Sequence, residues 1–563
     1  MLMGQNTHKV CDGQGVCSGF LGCLEPVSLL ESIMHLRRFS LSIAASICCQ
    51  FSCLGEFDGE LHLVLQSRAG DGHQLLQIPE SWDAMATAVV VCDMWDAHHS
   101  PNATRRVGEL APRIDQFISK VRGAGGTVIH APSSCMEFYQ DHPARKRALE
   151  VALSESLPDG IGSWMDWIDG EEKAAGYPID HSDGGEDDDP ADHAAWAKTL
   201  AADGKNPKAP WTRQVERIQI DAAKDFITDD GKQNWSILES RGIENVILVG
   251  VHTNMCVLGR PFGLRQMAKN GKNVVLVRDL TDTMYNPAMA PEVSHFEGTD
   301  LIIEHVESYV CPTISSEQVL GGQAHRFKGD PRKDLLVMIG EKEYQTIDTL
   351  PRFAQEHLSQ YFRVSYSTPD PHDPNMFFGL EALEQADVLM VSVRRRALPE
   401  EDLGRIRKHV EQGKPVVGIR TASHAFSLRG KPHPEGHAVW DKWDPEVFGG
   451  NYSGHHGNQL KSFAKPLGEH ALLGGVGEGE FGTGGSLYEV RPLERGATAV
   501  LQGRAETVDQ QEPVAWVFKR KDGGNSFYSS LGHVDDFQVP AFVKLLRNGI
   551  CWAAGIELGV EKD

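Results

Sequence analysis

The chain has 563 residues, which at roughly 150 residues per domain leaves room for two large domains or three to four small ones. Its 40% apolar and 24% charged residues are ordinary globular proportions and exclude a wholly disordered or fibrous chain. With 78 acidic against 55 basic side chains the formal charge is -23. Such a surface repels phosphate backbones and anionic lipid, so no nucleic-acid or polybasic membrane partner is expected.

No run of about 18 apolar residues occurs, so no membrane span is expected either. Residues 1–55 read as a leader: Arg37 and Arg38 precede a small, apolar, uncharged stretch from Phe39 to Cys53, the pattern of a secretory signal. Its late position suggests that Met34 is the true start and that residues 1–33 are an upstream addition. Export to a periplasmic or extracellular space is the expectation. The alternative is a tail with chance hydrophobicity on a cytoplasmic protein. Six of the eleven cysteines (Cys11, Cys17, Cys23, Cys48, Cys49, Cys53) crowd this segment. No Cys-x-x-Cys pair occurs, which argues against a zinc knuckle or a disulfide framework.

Residues 56–84 form a short β extension in which Glu60–Gln66 alternates like a strand and Gln74–Pro79 is its hairpin partner. A first α/β block, residues 85–315, opens with the β-branched run Ala86–Met94, a buried parallel strand. Apolar residues recur at helical spacing over Thr104–Arg122, and glycines stop that helix before the strand Thr127–His130. Farther on, the pattern predicts a helix over Trp235–Arg241, a strand over Asn245–Val251, a helix over Met255–Lys269 and a strand over Asn273–Val277. About residues 140–215 interrupt this order with a polar insertion. There, Asp180–Pro190 holds six acidic residues in eleven positions, either a solvated run or a wrap for a hard cation such as calcium.

A polar linker, residues 316–333, precedes a second block, residues 334–556. Strands are expected at Asp334–Gly340, Phe362–Ser367, Ala386–Val393 and Pro415–Ile419, with a helix over Glu400–Gln412. Further strands follow the Gly-rich Gly474–Gly485, and a last helix spans Pro540–Ala554. Alternating strands and helices imply right-handed βαβ units. The fold class is therefore α/β, with two doubly wound, mostly parallel three-layer αβα domains in tandem.

Ligands in such sheets bind at the carboxyl ends of strands, which puts Asp93 and Val251–Cys256 on one edge. Cys256 stands between a strand and a helix, where the helix dipole favours a thiolate and the turn's N–H groups can hold an oxyanion. A thiol needs a base, and Asp93 is placed to be one. The bland alternatives are an inert core cysteine and a helix-capping aspartate.

The motifs VVCDMWD (Val90–Asp96) and GVHTNMCVL (Gly250–Leu258) resemble the isochorismatase-like, or cysteine hydrolase, family over about residues 85–312. That resemblance implies an Asp–Lys–Cys triad, which carries over to Asp93, Lys224 and Cys256, with Lys232 competing for the lysine. It also implies a cis peptide at Val251–His252, with the N–H groups of His252 and Cys256 facing the oxyanion, and a pocket touched by Trp95, Thr253 and Asn254. The implied reaction is hydrolysis of an amide or related C–N bond in a small molecule through a thioester. No cofactor is required. A divalent cation on Asp96 and His98 is an open alternative, as is the reading of those two as ordinary surface residues.

In the second block, KPVVGIRTASH (Lys414–His424), FGGNYSGHHG (Phe448–Gly457) and LGHVDDF (Leu531–Phe537) resemble the ThuA-like family, which has a glutamine-amidotransferase-like fold. Arg420 and Thr421 occupy the turn where an amidotransferase carries its cysteine, so glutaminase activity is not expected. Arg420, His424, His455, His456 and His533 are pocket candidates for a sugar-like ligand or a metal, unless the histidines are structural. The whole then reads as a cysteine hydrolase with a ThuA-like accessory domain. The alternative is a non-catalytic ligand-binding or scaffolding protein, carbohydrate-related. A homo-oligomer is compatible with either.

Overall fold

The computed structural model describes residues 59–69 and 74–558. The expected leader, residues 1–55, lies outside the described residues. Among those described, no helix is long and apolar enough to cross a membrane. Two α/β sheets follow one another along the chain.

The first sheet has eight strands: β1 (Glu60–Ala69), β2 (Gln74–Asp83), β3 (Thr87–Cys92), β4 (Thr127–Ala131), β5 (Phe226–Ile227), β6 (Asn245–Val251), β7 (Asn273–Asp282) and β8 (Thr313–Ile314), in the spatial order β2-β1-β8-β7-β6-β3-β4-β5. From β8 to β5 neighbouring strands are parallel. The β1–β2 hairpin is not a separate extension, because β1 joins the sheet antiparallel to β8 through Gln66 and Thr313.

Strand β3 shows why the sheet is covered on both sides. Ala88, Val90 and Cys92 pack with Trp235, Ile237 and Leu258, whereas Val89 and Val91 pack with Leu110, Ile114 and Phe117 of the helix Pro101–Gly123. A side-chain period of two sends alternate residues to opposite faces, so a strand buried on both must be apolar throughout. The long helix begins where Ser100 accepts a hydrogen bond from Ala103 N and Pro101 occupies the first turn.

The expected helix over Met255–Lys269 is broken. A single π-helical turn, Thr253–Val257, is followed by a separate helix, Leu264–Lys269. Gly259, Pro261 and Gly263 fall between them, and Pro261 lacks the N–H that a continuous helix would need.

The second sheet has ten strands, with a parallel centre formed by Phe362–Pro369, Lys333–Gly340, Val388–Val393, Val416–Ile419 and Asn525–Ser529 in that order. An antiparallel wing built from Glu512–Lys519, Ala497–Ala505 and Ser462–Pro466 extends it. Leu335, Val337 and Ile339 face the core shared with the terminal helix Pro540–Ala553, while Leu336 and Met338 face that of Glu400–Glu411. The polar stretch 316–333 is a packed segment and no free linker: Ser316, Asp330 and Arg332 are buried, and Arg332 Nη1 donates to Ser359 O.

Candidate active site

Asp93 follows strand β3 directly, with a φ of +45°. Next to it, Gly250 of β6 approaches so closely that a Cβ would lie 2.1 Å from Cys92 O; with a φ of +109°, only glycine fits there. The Val251–His252 peptide is cis, as the family resemblance implies. The π-turn then carries Cys256 to Asp93. There the thiol and the Asp93 carboxyl are close enough for each to shift the other, Ser133 N donates to Asp93 Oδ1 at 2.7 Å, and Arg260 Nε donates to Oδ2 at 3.1 Å.

Burial dominates the electrostatics. Asp93 is fully buried, which raises its pKa against the opposing pull of Arg260 and of its hydrogen bonds. The Cys256 thiol is pushed well above its ordinary value, first by burial and then by the Asp93 charge. At rest the sulfur is therefore a thiol, beside a carboxyl group that burial also pushes toward its neutral form. This differs from the dipole-stabilised thiolate expected from sequence, because a five-residue π-turn offers little dipole to compensate desolvation.

The lysine is the correction. Lys224 is exposed in a turn closed on Asp221, with its backbone N–H donating to Asp221 Oδ1, whereas its neighbour Asp225 points inward to Arg122 and His130. Lys232 is exposed on the first turn of the helix Gly231–Ser240. The cation beside Asp93 and Cys256 is Arg260. Its spacing gave the signal: four residues past the cysteine, one helical turn away.

Thr253 and Asn254 are spent on holding the turn. Thr253 Oγ1 donates to Asp282 O, and the Asn254 amide pairs with both backbone groups of Met284. Asp282 itself is buried between Arg106 and His295, which hold its carboxyl well below the usual range despite burial. Trp95 stacks on Trp211 with centroids 4.5 Å apart and donates to Ser133 O. His252 Nε2 is buried without a hydrogen-bond partner, and burial pushes this imidazole down to about 4.

Asp96 and His98 are engaged within the protein. The Asp96 oxygens are taken by Lys205, Thr212 and Arg213, and His98 Nδ1 accepts from Ser100 N. The acidic insertion is used structurally as well: Asp187 pairs with Arg106, Glu186 with His99, and Asp188 accepts from Asn102 N at the start of the long helix. Among the described residues no group of three or more His, Cys, Asp or Glu is placed to hold a metal.

What sequence reasoning missed is the insertion's role as a cover. Trp164 lies against Gly259 with Arg260 over its ring at 5.6 Å, Met165 N donates to Gly259 O, and Tyr177 Oη donates to Asn254 O.

In the second block the predicted candidates gather around tyrosines. Arg420, with a φ of +46° directly after the strand Val416–Ile419, lies over the rings of Tyr488 and Tyr344. His424 stacks on Tyr452, and His533 lies edge-on to Tyr344. His533 also caps a turn by accepting from Asp535 N. His455 is exposed, and its Nδ1 donates to the adjacent His456 O. His456 Nδ1 lies 3.8 Å from Glu489.

Residues 334–553 match the model of the ThuA family, trehalose utilisation. The second block is therefore a ThuA-like domain. Solved structures to which the chain is similar include a ThuA-like protein from Bacteroides uniformis, 14% identical over 41% of this chain and 95% of that one, with a TM-score of 0.32. Another is a cysteine hydrolase from Pseudomonas syringae pv. phaseolicola, 15% identical over 43% of this chain and 93% of that one, with a TM-score of 0.25. A third is the N-carbamoylsarcosine amidase of Thermoplasma acidophilum, 15% identical over 40% and 95%, with a TM-score of 0.22. No curated protein matches the chain. The chemistry of the site follows from its own residues.

Proposed function

We infer that the first block is a hydrolase of an amide or related C–N bond in a small molecule, with Cys256 as nucleophile. One observation carries this: a thiol set beside a buried carboxyl group whose hydrogen-bond donors are Arg260 and a backbone N–H. As the sulfur attacks the carbonyl carbon, Asp93 takes its proton and the carbonyl oxygen becomes an oxyanion. Asp93 returns the proton to the leaving nitrogen, the C–N bond breaks and a thioester remains. Asp93 then takes a proton from water, the hydroxide attacks the thioester, and the thiol is released as Asp93 returns that proton. Arg260 stays charged throughout and steadies whichever partner carries the negative charge. It supplies the positive charge that the family resemblance assigns to a lysine.

The proposal is tested by screening small amides and ureides with the full chain and with the Cys256→Ala variant. Hydrolysis that survives the substitution unchanged overturns it. A role in binding without turnover is favoured by the closed state of the site. Cys256 is 8% exposed, and the cavity of about 400 Å³ among the described residues lies between the two blocks, lined by neither Asp93 nor Cys256. Binding of a compound that Cys256→Ala retains, with no product from the parent protein, decides for that role.

A further inference from the structure

In a chain of net charge -23, the second block gathers arginines that have no acidic partner. Arg395, two residues beyond the strand Val388–Val393, gives its Nη1 to Ser427 O. Arg420 Nη1 donates to the carbonyls of Ser486 and Ser530, and its buried Nε has no hydrogen-bond partner. Arg429 lies over the Tyr452 ring at 5.9 Å. Among the described residues no carboxylate comes within ion-pair distance of these three. The nearby Glu341 carboxylate is spent on the N–H groups of Glu343, Tyr344 and Thr346. The Asp536 charge reaches Arg420 only from beyond ion-pair distance; burying or crowding guanidinium groups with no carboxylate in direct contact is costly, and it persists where a ligand supplies the charge. The effect is felt inside the cluster, where burial and then Arg395, Arg394 and Arg429 hold His424 in its neutral form.

The aromatic rings form a continuous wall beside these cations. Tyr452 and Tyr488 have centroids 4.7 Å apart, His424 stacks on Tyr452 at 4.4 Å, and Arg420 bridges Tyr488 at 4.2 Å and Tyr344 at 4.8 Å. The position in the fold agrees. From the strand Lys333–Gly340 the chain passes first to Phe362–Pro369 on one side and then to Val388–Val393 on the other. Tyr344 and Arg395 follow the two strands that flank this reversal, where open α/β sheets bind ligands.

The geometry points to a site for a small ring-bearing oxyanion, a sugar acid or sugar phosphate. Its carboxylate or phosphate sits against Arg395 and Arg429, which are reachable, with Arg420 and Tyr488 buried behind them, and its ring lies against Tyr452. Guanidinium forks match both oxyanions, and tyrosine faces suit the apolar face of a sugar ring.

The test is calorimetric titration of the full chain with glucuronate and glucose 6-phosphate, beside glucose and inorganic phosphate. At least one charged sugar is expected to bind about tenfold or more tightly than either control, and which one binds tells carboxylate from phosphate. Arg429→Gln, an exposed change, should weaken that binding about tenfold while leaving the unliganded melting temperature in place, and Arg395→Gln should do the same. Several results overturn the proposal: no heat with either charged sugar, glucose binding as tightly as glucuronate, inorganic phosphate matching glucose 6-phosphate, or both variants binding like the parent.

Discussion

Removing the Arg260 charge tests the heart of the proposed chemistry. Asp93 and Cys256 share one negative charge, and Arg260 Nε is 3.1 Å from the carboxylate, with the arginine side chain 26% exposed and the aspartate fully buried. Two unit charges about 4 Å apart attract by about 4 kcal/mol at an effective dielectric near 20. Solvent reaching the guanidinium roughly halves this, leaving about 2 kcal/mol for the shared anion. That equals about 1.5 pKa units, or a factor of roughly 30. In Arg260→Met the acid limb of the pH profile for Cys256 alkylation by iodoacetamide should therefore move upward by about 1.5 units. On that limb the rate should fall about 30-fold. Arg260→Lys, which keeps the charge, should stay within a few-fold of the parent and so separates the electrostatic loss from misfolding. If the limb of Arg260→Met coincides with that of the parent while circular dichroism shows the fold intact, the arginine does not support the anion and the reasoning fails.

Other consequences can be measured alongside. Lys224→Ala should leave hydrolysis and alkylation unchanged, because that side chain is exposed away from the site, whereas Asp93→Asn should lower turnover by about 100-fold or more through loss of the general base; product release against substrate concentration reads both. Asp282→Asn should cost about 3 kcal/mol in urea unfolding at pH 7, since it leaves Arg106 and His295 short of a buried partner. The Asp282 carboxyl is depressed in the folded state, so its contribution is present above the unfolded value of about 3.9 and disappears only in stronger acid, as pH falls through the folded value. Asp444 behaves oppositely. Burial raises it to about 7, with one oxygen unpartnered, so the stability it gives is full below about pH 4 and is lost as pH rises through 7. Asp444→Asn should flatten that slope by up to about 4 kcal/mol in unfolding free energy measured across the window.

The parts legible in the sequence were those fixed by local pattern. Runs such as Asn245–Val251 and Asp334–Gly340 are β-branched, apolar and closed by turn residues, so their burial on both faces could be read directly. The pairing of Asp93 with Cys256 was legible because both lie at strand ends and the sheet rule brings such ends together. Lys224 misled because a surface turn and an inward turn look alike in sequence. Which of Lys224 and Asp225 faces inward is decided by partners such as Arg122 and His130, about one hundred residues away along the chain. The second-block tyrosines were missed for the same reason, since Tyr344 and Tyr452 come from two separate loops and Tyr488 from a two-residue strand. Histidines drew attention there by type, yet the cations and rings that surround them have no spacing to read.

Access to Cys256 raises the last question, because two α/β blocks in tandem invite a hinge between them. The hairpin argues against one. Leu75 of β2 is buried in the core of the second block, and Gln77 donates to Tyr366 O and accepts from Thr368 Oγ1. Arg68 of β1 pairs with Glu304 and Glu307 beside the cavity between the blocks. Separating the blocks would strand these polar groups at about 1–3 kcal/mol each and expose Leu75 at a further 1.5–3 kcal/mol or so. The insertion is held less firmly: Trp164 is 45% exposed, and its ring rests on Gly259 and under Arg260. Opening should therefore start at Trp164. Trp164→Ala is expected to speed Cys256 alkylation several-fold with little change in melting temperature. Leu75→Ala should lower the melting temperature, by about 2–5 kcal/mol of stability, without speeding alkylation below the transition. The reverse pattern, with faster alkylation in Leu75→Ala and none in Trp164→Ala, would place the gate at the block interface instead.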